Sequence, residues 1–355
     1  MKKKETLPSV KVDKSSGEKI RIALKDLQLL RTDAKITTNH DFIYLPLTRP
    51  LNESEKLNLD VSDVSTTEFE LLEPRISIEE LVGFNPSFEV VGDIAVLTED
   101  VVNETLVAEA IMSLHKSIKV VAKRISPVEG VFRSRRLKII AGEHRTETTH
   151  KENGCRYKLD LEQVYFNPRL ARERDRVASL AAHDKNGKEE VIDMFAGVGP
   201  FSIQIAKLAP QSHVTAIDIN PVAVSYLREN MDLNGVHSIE AIEGDIKEVY
   251  RAFTNRADRI IMNLPKSAYL FLAEALSMLK PEGGIIHFYD LESAYEARAE
   301  NRVGAAINKA KQKLATGLQE HKVQWEIMAA RKVKVYAPYA YILGIDAKVK
   351  GTATT

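Results

Sequence analysis

Four polar side chains in the second half of the chain follow short apolar runs. They are Asp193, Asp218, Asp245 and Asn263. Carboxylate and amide oxygens accept hydrogen bonds from hydroxyl and amino groups. Asp218 also lies about 20 residues beyond a glycine turn, where an acid can accept both hydroxyls of a ribose. The pattern predicts a site for a nucleoside-containing ligand. Any one of these acids could instead cap a helix, but four in register favour a ligand.

The glycine turn lies directly after Asp193. Residues 191–201 read as an apolar strand, the turn Phe-Ala-Gly-Val-Gly-Pro and the start of an apolar helix. Glycines let a ligand lie against bare backbone, and the helix N-terminus supplies free N–H groups. An NAD site would place a third glycine where this chain has Ser202. Because Asp193 also suits an ammonium group better than a pyrophosphate, the turn favours S-adenosylmethionine over NAD.

Composition sets the class of protein. The 355 residues are 44% hydrophobic and 28% charged, as in a soluble globular protein with two or three domains. A single cysteine, Cys155, excludes an internal disulfide and disfavours a cysteine-rich zinc site, so no metal site is predicted. No apolar run approaches the ~18 residues of a membrane span, and no apolar segment follows the first lysines. We therefore expect a cytoplasmic protein.

The neutral net charge conceals two segments of opposite sign. Residues 51–109 carry fifteen acids and two bases, whereas residues 116–158 carry twelve bases and four acids. The basic segment could contact RNA phosphates, or both segments could be solvated faces. Charge alone leaves these two interpretations open.

Hydrophobic patterning predicts how the chain is organised. From residue 164 to 280, strands at 190–195, 213–218, 238–243 and 258–263 alternate with helices, which is typical of a doubly wound, mainly parallel sheet. Two further runs, 323–328 and 340–345, are predicted as a closing antiparallel pair. Before this region the pattern predicts two smaller α+β domains. The predicted domains are 1–66, with frayed residues 1–18 and a linker at 50–66, then 67–163 and 164–355.

Three motifs together resemble one enzyme family. They are Asn-Leu-Pro at 263–265, the segment Asp-Met-Phe-Ala-Gly-Val-Gly-Pro-Phe at 193–201, and Val-Tyr-Phe-Asn-Pro-Arg-Leu-Ala-Arg-Glu at 164–173. The second half resembles the class I, Rossmann-like S-adenosylmethionine methyltransferases, whose sheet has seven strands. The three motifs resemble the archaeal and eukaryotic tRNA (guanine-37-N1)-methyltransferases, and the resemblance covers nearly the whole chain. One departure from the wider class is Asn-Leu-Pro-Lys in place of Asn-Pro-Pro-aromatic.

The resemblance implies the reaction and its partners. A monomeric enzyme would transfer a methyl group from S-adenosyl-L-methionine to N1 of guanosine 37, binding the anticodon stem-loop of tRNA and, through the N-terminal domain, its elbow. N1 carries a proton, so the reaction needs a base and a partner for charge at O6. The resemblance places the base at Glu173 and the O6 partner at Arg133, or at Arg135 or Arg136 if the register is shifted. From sequence alone, Glu173 could equally be a surface carboxylate paired with Arg169.

The remaining site residues follow from the same resemblance. Asn263 would hold the edge of the target base, and Pro265 would stiffen the loop that presents it. Tyr165 would flank the base, although it could be a core residue, and Arg169 would contact RNA. The implied cofactor contacts are Asp193, Phe195, Ala196, Gly197, Gly199, Asp218, Ile219, Asp245, Ile246, Asn263 and Pro265.

Three other functions remain open at this point. Wyosine-pathway relatives act on the same tRNA position, either by transferring an aminocarboxypropyl group or by methylating a tricyclic base, and a bifunctional enzyme would combine activities. A non-catalytic RNA-binding protein with a vestigial cofactor site is disfavoured by the intact strand-end acids. A nicotinamide-dependent oxidoreductase is disfavoured by the missing third glycine.

Overall fold

The computed structural model describes residues 3–72, 76–98, 101–126, 130, 132, 135–184 and 188–351. The chain divides into two compact units, Met1–Ser77 and Ile78–Thr355. No helix in these ranges is long and apolar enough to cross a membrane. The sequence predicts three domains, with boundaries after residues 66 and 163, and this finer division stays a prediction.

The first unit is a small antiparallel sheet with two helices. Its strands are β1 (Lys4–Asp13), β2 (Thr37–Thr38), β3 (Phe42–Pro46) and β4 (Val64–Glu70), in the order β2-β3-β1-β4. The helices are α1 (Gly17–Asp26) and α2 (Glu53–Leu59). Their core includes the fully buried Val10, Leu24 and Leu47. Because β4 pairs with β1 along its whole length, the unit extends past residue 66.

Two sequence predictions in this unit were wrong. Residues 4–13 were expected to be frayed, but they form the central strand β1, whose buried Leu7, Val10 and Val12 lie among polar and lysine residues. Residues 50–66 were expected to be a linker but contain α2. This helix begins with a capping box: the side chain of Asn52 accepts from the Glu55 amide at 2.8 Å, and the Glu55 carboxylate accepts from the Asn52 amide at 2.9 Å.

The second unit opens with an α+β region. It comprises α3 (Ile78–Val82), β5 (Phe88–Val91), β6 (Ile94–Leu97), α4 (Glu104–Leu114), β7 (Val120–Arg124), β8 (Leu137–Gly142), β9 (Glu147–Glu152) and β10 (Cys155–Asp160). Strands β5 to β8 form one sheet in chain order, and β9 and β10 form a hairpin. The sequence predicts two strands separated by a turn at Gly92-Asp93 and an amphipathic helix over residues 104–115, and the structure confirms both. Strand β9 was missed because threonines and charged residues dominate it.

The rest of this unit is a doubly wound sheet of seven strands. They are β11 (Glu190–Asp193), β12 (His213–Asp218), β13 (Ile239–Glu243), β14 (Arg259–Met262), β15 (Gly283–Ser293), β16 (Gln324–Ala337) and β17 (Ala340–Lys350). Their order is β13-β12-β11-β14-β15-β17-β16; the first five are parallel, and β17 is antiparallel to both of its neighbours. The helices are α5 (Ala171–His183), α6 (Pro200–Leu208), α7 (Pro221–Asn234), α8 (Ile246–Val249), α9 (Leu272–Met278) and α10 (Arg302–Glu320).

Both faces of this sheet are buried. Val191 belongs to the core beneath α5, α6 and α7, whereas its neighbour Ile192 belongs to the core beneath α9 and α10. This alternation follows from the two-residue period of a strand. The strand order reverses between β11 and β14, so the carboxyl ends of these two strands flank a crevice. Asp193 ends one strand and Asn263 follows the other.

Helix α7 joins the α+β region to the large sheet. The side chain of Asn230, which is fully buried, accepts from the Lys158 amide at 2.6 Å and donates to the carbonyls of Lys158 and Val198. Asn234 bonds both backbone groups of Arg156 in the same way. These two amides satisfy the outer edge of β10 and tie the α+β region to the large sheet.

Removing the Asn230 amide should destabilise this junction. In Asn230→Ala, the partly buried amide and carbonyl of Lys158 and the buried carbonyl of Val198 lose this partner, so we expect the free energy of unfolding to fall by about 2–3 kcal/mol. Urea denaturation followed by circular dichroism measures the change. Asn234→Ala is the matched control, and because its surroundings are more exposed, water replaces part of what is lost. Equal effects of the two substitutions would contradict this account.

Candidate active site

A cavity lies at the carboxyl ends of β11, β12, β13 and β14. We call it the cofactor cavity; it holds about 1030 Å³ of free space, including its open mouth. Most of the predicted cofactor residues line it. These are Phe195, Ala196, Gly197, Asp218, Ile219, Asp245, Ile246 and Asn263, together with the predicted substrate residue Tyr165.

Asp218 has a structural role as well as a place in the cavity wall. One carboxylate oxygen accepts from the Gly197 amide at 2.7 Å, and the other accepts from the Asn220 amide at 2.9 Å. The first bond fixes the glycine turn against the end of β12. A carboxylate offers about four acceptor sites, so accepting from these two amides does not prevent the side chain from also receiving ribose hydroxyls.

Asp245 combines the two roles that its sequence position allowed. Its carboxylate accepts from the Lys247 amide at 2.9 Å and thereby caps α8. The residue also lines the cofactor cavity beside Ile246. Helix capping and ligand contact are therefore compatible at this position.

The two glycines of the turn are required for different reasons. Gly197 has φ +56°, a conformation that side chains rarely adopt, although a Cβ there would lie 3.8 Å from the nearest atom, the Tyr165 carbonyl oxygen. Gly199 has φ +86°, and a Cβ there would lie 2.2 Å from the Leu227 side chain. Gly199 does not line the cavity. The absence of a side chain at Gly199 permits the packing of α6 on α7, and its predicted cofactor contact stays a prediction.

Asp193 and Pro265 also lie behind the cavity wall rather than in it. Asp193 is 1% exposed; one of its oxygens accepts from the Ser202 hydroxyl at 2.8 Å, and the other has no partner among the described residues. Burial raises the pKa of Asp193 to about 7. Pro265 is buried, and its carbonyl accepts from the Leu291 amide at 2.9 Å, tying the loop after β14 to β15.

The cavity fits S-adenosylmethionine. Its wall offers the carboxylates of Asp218 and Asp245, whereas the ligand has hydroxyl and amino donors. One buried oxygen of this wall, Oδ1 of Asn263, lacks a partner in the part of the chain that the structure describes. Buried acceptors without partners are costly, which is the condition that a bound donor relieves.

A second cavity adjoins the first. We call it the outer cavity; it holds about 2060 Å³ of free space including its mouth. Both cavities are lined by Tyr165, Phe166, Asn167, Leu264 and Phe271. The α+β region contributes Arg124 and Arg135 to the wall, and β16 contributes Lys334 and Tyr336. A long substrate could therefore reach the cofactor cavity through the outer one.

The predicted substrate arginines differ in their surroundings. Arg135 is 7% exposed and donates to the Leu161 carbonyl at 3.2 Å, and burial lowers the pKa of its guanidinium. Arg169 is mostly exposed and lies 3.5 Å from the Glu89 carboxylate in the wall of the outer cavity. Arg136 is exposed and lines neither cavity. Arg133 lies outside the described residues.

Glu173, the predicted base, lies in a buried ionic cluster outside both cavity walls. It is 6% exposed, and it accepts from the Tyr289 hydroxyl at 2.7 Å. Arg176 and Arg331 also donate to its carboxylate, at 2.8 and 3.0 Å. The alternative pair with Arg169 does not form, because Arg169 contacts Glu89. Burial raises the pKa of Glu173, and the charge of Arg176 opposes that shift.

The cluster connects four elements of the second unit. Asp346 on β17 accepts from both Arg176 and Arg331, and it also pairs with His287 on β15 at 2.6 Å. Glu173 is thereby held to β16 and β17 by two arginines. Sequence reasoning missed Arg331, because nothing in a lysine-rich strand marks one arginine as buried against a helix carboxylate.

The cofactor cavity lies where the strand order of the sheet reverses, and it is lined by acids that follow successive strands and by a glycine turn. These features are those of a Rossmann-like methyltransferase that uses S-adenosylmethionine. Family models agree with that class. The TRM5/TYW2 methyltransferase domain matches residues 148–318, the tRNA methyltransferase 5 N-terminal domain matches 9–55, and the TYW2 N-terminal domain matches 69–146. The chain belongs to the TRM5/TYW2 methyltransferase family, and the predicted fold class and cofactor are confirmed.

Relatives resemble the chain over different lengths. The tRNA (guanine(37)-N(1))-methyltransferase Trm5b of Pyrococcus abyssi is 39% identical, over 96% of this chain and 98% of the relative. A solved complex of aTrm5 with tRNALeu is 35% identical and covers 97% of this chain and all of that one, with a TM-score of 0.65. TYW2 of Methanocaldococcus jannaschii, solved with AdoMet, is 26% identical and covers 75% of this chain and all of that one, with a TM-score of 0.54.

Proposed function

We propose that this protein transfers the methyl group of S-adenosylmethionine to N1 of guanosine 37 in tRNA. The observation that supports the proposal is the junction of the two cavities, where Tyr165 lines both and Asn263 lines the inner one. A base entering through the outer cavity would meet the cofactor there. Full-length similarity to the Pyrococcus abyssi enzyme supports the choice of base and position.

The residues at this junction suit a flipped base. A target base must leave its stack to be methylated, which costs least in a loop. The unpaired amide oxygen of Asn263 can accept from the edge of a guanine, and the ring of Tyr165 can flank its face. Arg169 would contact a phosphate. S-adenosylmethionine, held by Asp218 and Asp245, supplies an electrophilic methyl group.

Proton removal is assigned to Glu173, and charge at O6 to Arg133 or its neighbour Arg135. Because Arg176, Arg331 and Tyr289 occupy the Glu173 carboxylate, one of these partners must move before it accepts a proton. A carboxylate with a raised pKa is the better base for this step. Arg135 already has a guanidinium nitrogen, Nη2, with no partner among the described residues.

A methylation assay tests the proposal. Unmodified tRNA transcripts that differ only in carrying guanosine or adenosine at position 37 are incubated with the full-length protein and labelled cofactor. Label should enter the guanosine transcript alone. Equal labelling of both transcripts, or none of either, would contradict the proposed function.

The rate should depend on pH through Glu173. The base acts when ionised, and burial raises the pKa of this carboxyl above its ordinary value of 4.5. The single-turnover rate should therefore fall as pH decreases through that raised pKa, about tenfold per pH unit below it. Rates measured with saturating tRNA and cofactor give the profile. An acid limb at the ordinary pKa of a glutamate would contradict the assignment.

The N-terminal unit is assigned to the tRNA elbow, and the enzyme is inferred to act as a cytoplasmic monomer. Residues 1–77 form a separate compact unit that matches the tRNA methyltransferase 5 N-terminal domain. Deleting them should weaken binding of full tRNA at least tenfold, while an isolated anticodon stem-loop is methylated as before. Filter binding and single-turnover assays compare the two substrates. Equal losses on both would place this unit elsewhere.

Wyosine-type chemistry at the same position is the alternative. The family model covers TYW2 as well as TRM5, but the TYW2 structure matches 75% of this chain at 26% identity. The guanosine methyltransferase matches 96% at 39% identity, which favours N1 methylation. A second activity would show as product on tRNA that already carries the tricyclic base.

A further inference from the structure

One wall of the outer cavity comes from a part of the chain that the family models do not match. These models cover residues 9–55, 69–146 and 148–318, whereas Lys334, Val335 and Tyr336 lie on β16. None of these three residues belongs to the motifs that point to the reaction. The wall is therefore a candidate for a contact beyond the site already described.

Tyr336 presents an exposed aromatic ring in the wall of the outer cavity. It is 48% exposed, and Nζ of Lys266 lies 5.6 Å from the centre of its ring. The register of β16 against β17 shifts between Val335 and Ala337, so Tyr336 is the extra residue of a bulge. Bulges beside sites re-aim a side chain. An aromatic ring among lysines is the arrangement on which single-stranded bases stack.

The part of the wall that the α+β region contributes offers guanidinium nitrogens without partners among the described residues. Nη2 of the buried Arg135 and Nε of Arg124 are both buried and unpaired within the described ranges. A buried cation without an acceptor is costly, and a phosphate supplies strong acceptors to a guanidinium. Glu89 in the same wall opposes an anion, but its carboxylate is 3.5 Å from Arg169 and is in part neutralised by it.

We propose that the outer cavity binds the nucleotide next to the target guanosine, with Tyr336 stacked on its base and Arg124 on its phosphate. The inference rests on the proposed function, because single-stranded RNA is an occupant that uses both an aromatic ring and a cation. It adds residues of β16 and β7 that bind a neighbour of the target and do not touch the reacting atoms.

Fluorescence of 2-aminopurine tests the stack without requiring methyl transfer. The probe replaces the base on either side of the target in an anticodon stem-loop, and the full-length protein is titrated in. At one of the two positions the wild type and Tyr336→Phe should quench the probe, whereas Tyr336→Ala should not. Tyr336→Ala should also bind the unlabelled stem-loop about tenfold more weakly or worse. Tyr295→Ala removes an exposed ring that does not line the cavity and should change nothing.

An abasic nucleotide in place of the neighbouring nucleotide tests whether Tyr336 contacts that base. If Tyr336 stacks on the neighbouring base, removing that base should weaken binding to the wild type but not further weaken binding to Tyr336→Ala. A methylphosphonate at the adjoining linkage should likewise weaken binding of the stem-loop to the wild type more than it weakens binding to Arg124→Met. Additive losses in both comparisons would overturn the subsite.

The outcomes separate this inference from the proposed function. Quenching that depends on Tyr336, without methylation of guanosine, would leave the subsite standing and reject the proposed reaction. Methylation of guanosine 37 with no Tyr336-dependent quenching at either neighbour would reject the subsite alone.

Discussion

Glu173→Gln should reduce the single-turnover rate of methyl transfer by at least about 100-fold. Glutamine keeps the size of the side chain and can still accept from Tyr289 and one arginine, but it cannot take the N1 proton. The affinity for S-adenosylmethionine should stay unchanged, because Glu173 lies outside the cofactor cavity. Rapid quench with excess enzyme measures the rate, and equilibrium dialysis measures the affinity.

Its control lies on the same helix. Asp175 is exposed and accepts from Gln204 at 3.0 Å, so Asp175→Asn changes charge on α5 without touching the ionic cluster. It should methylate at the wild-type rate. Because Glu173 also pairs with Arg176 and Arg331, thermal unfolding of both variants must accompany the rates. A folded Glu173→Gln variant with a normal rate would show that another group removes the proton.

Asp218→Asn should weaken cofactor binding by about 10- to 100-fold. The carboxylate accepts from the amides of Gly197 and Asn220 on its two oxygens, whereas an asparagine has one oxygen. One of these bonds is lost, and the anion that would receive the ribose is removed; hydrogen bonds to charged groups contribute about 1.5–3 kcal/mol each. Isothermal titration with S-adenosylmethionine gives the affinity directly.

Asp232→Asn serves as the control for this change. Asp232 is exposed on α7 and does not line the cavity, so the Asp232→Asn variant should bind the cofactor with the affinity of the wild type. If Asp218→Asn bound the cofactor as tightly as this control, Asp218 would only fix the turn. The site would then take its ribose contact from elsewhere.

The periodic part of the fold could be predicted from the sequence. Strands β11 to β14 are apolar runs ending in polar residues, and the helices between them have clear caps, such as Asn220 at the start of α7. Strand β1 was not predicted, because its core residues alternate with polar residues, a lysine and a proline. The long strands β16 and β17 extend well beyond the apolar runs 323–328 and 340–345, since pairing with a neighbour, not hydrophobicity, sets their length.

The sequence could predict those residues of the candidate site that directly follow a strand. Asp218, Asp245 and Asn263 were found this way. Contacts between distant elements were not: Glu173 on α5 and Arg331 on β16 are 158 positions apart, and no spacing rule relates them. The packing role of Gly199 was also not predicted, since a glycine required for packing and one required for a ligand look the same in sequence.

Product identity is the most direct test of the central claim. Unmodified tRNA transcript with guanosine at position 37 is incubated with the protein and S-adenosylmethionine, digested to nucleosides and analysed by mass spectrometry. We predict 1-methylguanosine, located at position 37 by fragment mapping and absent from the reaction with Glu173→Gln. A methylated nucleoside at any other position, or an aminocarboxypropyl product in place of a methyl group, would contradict the account.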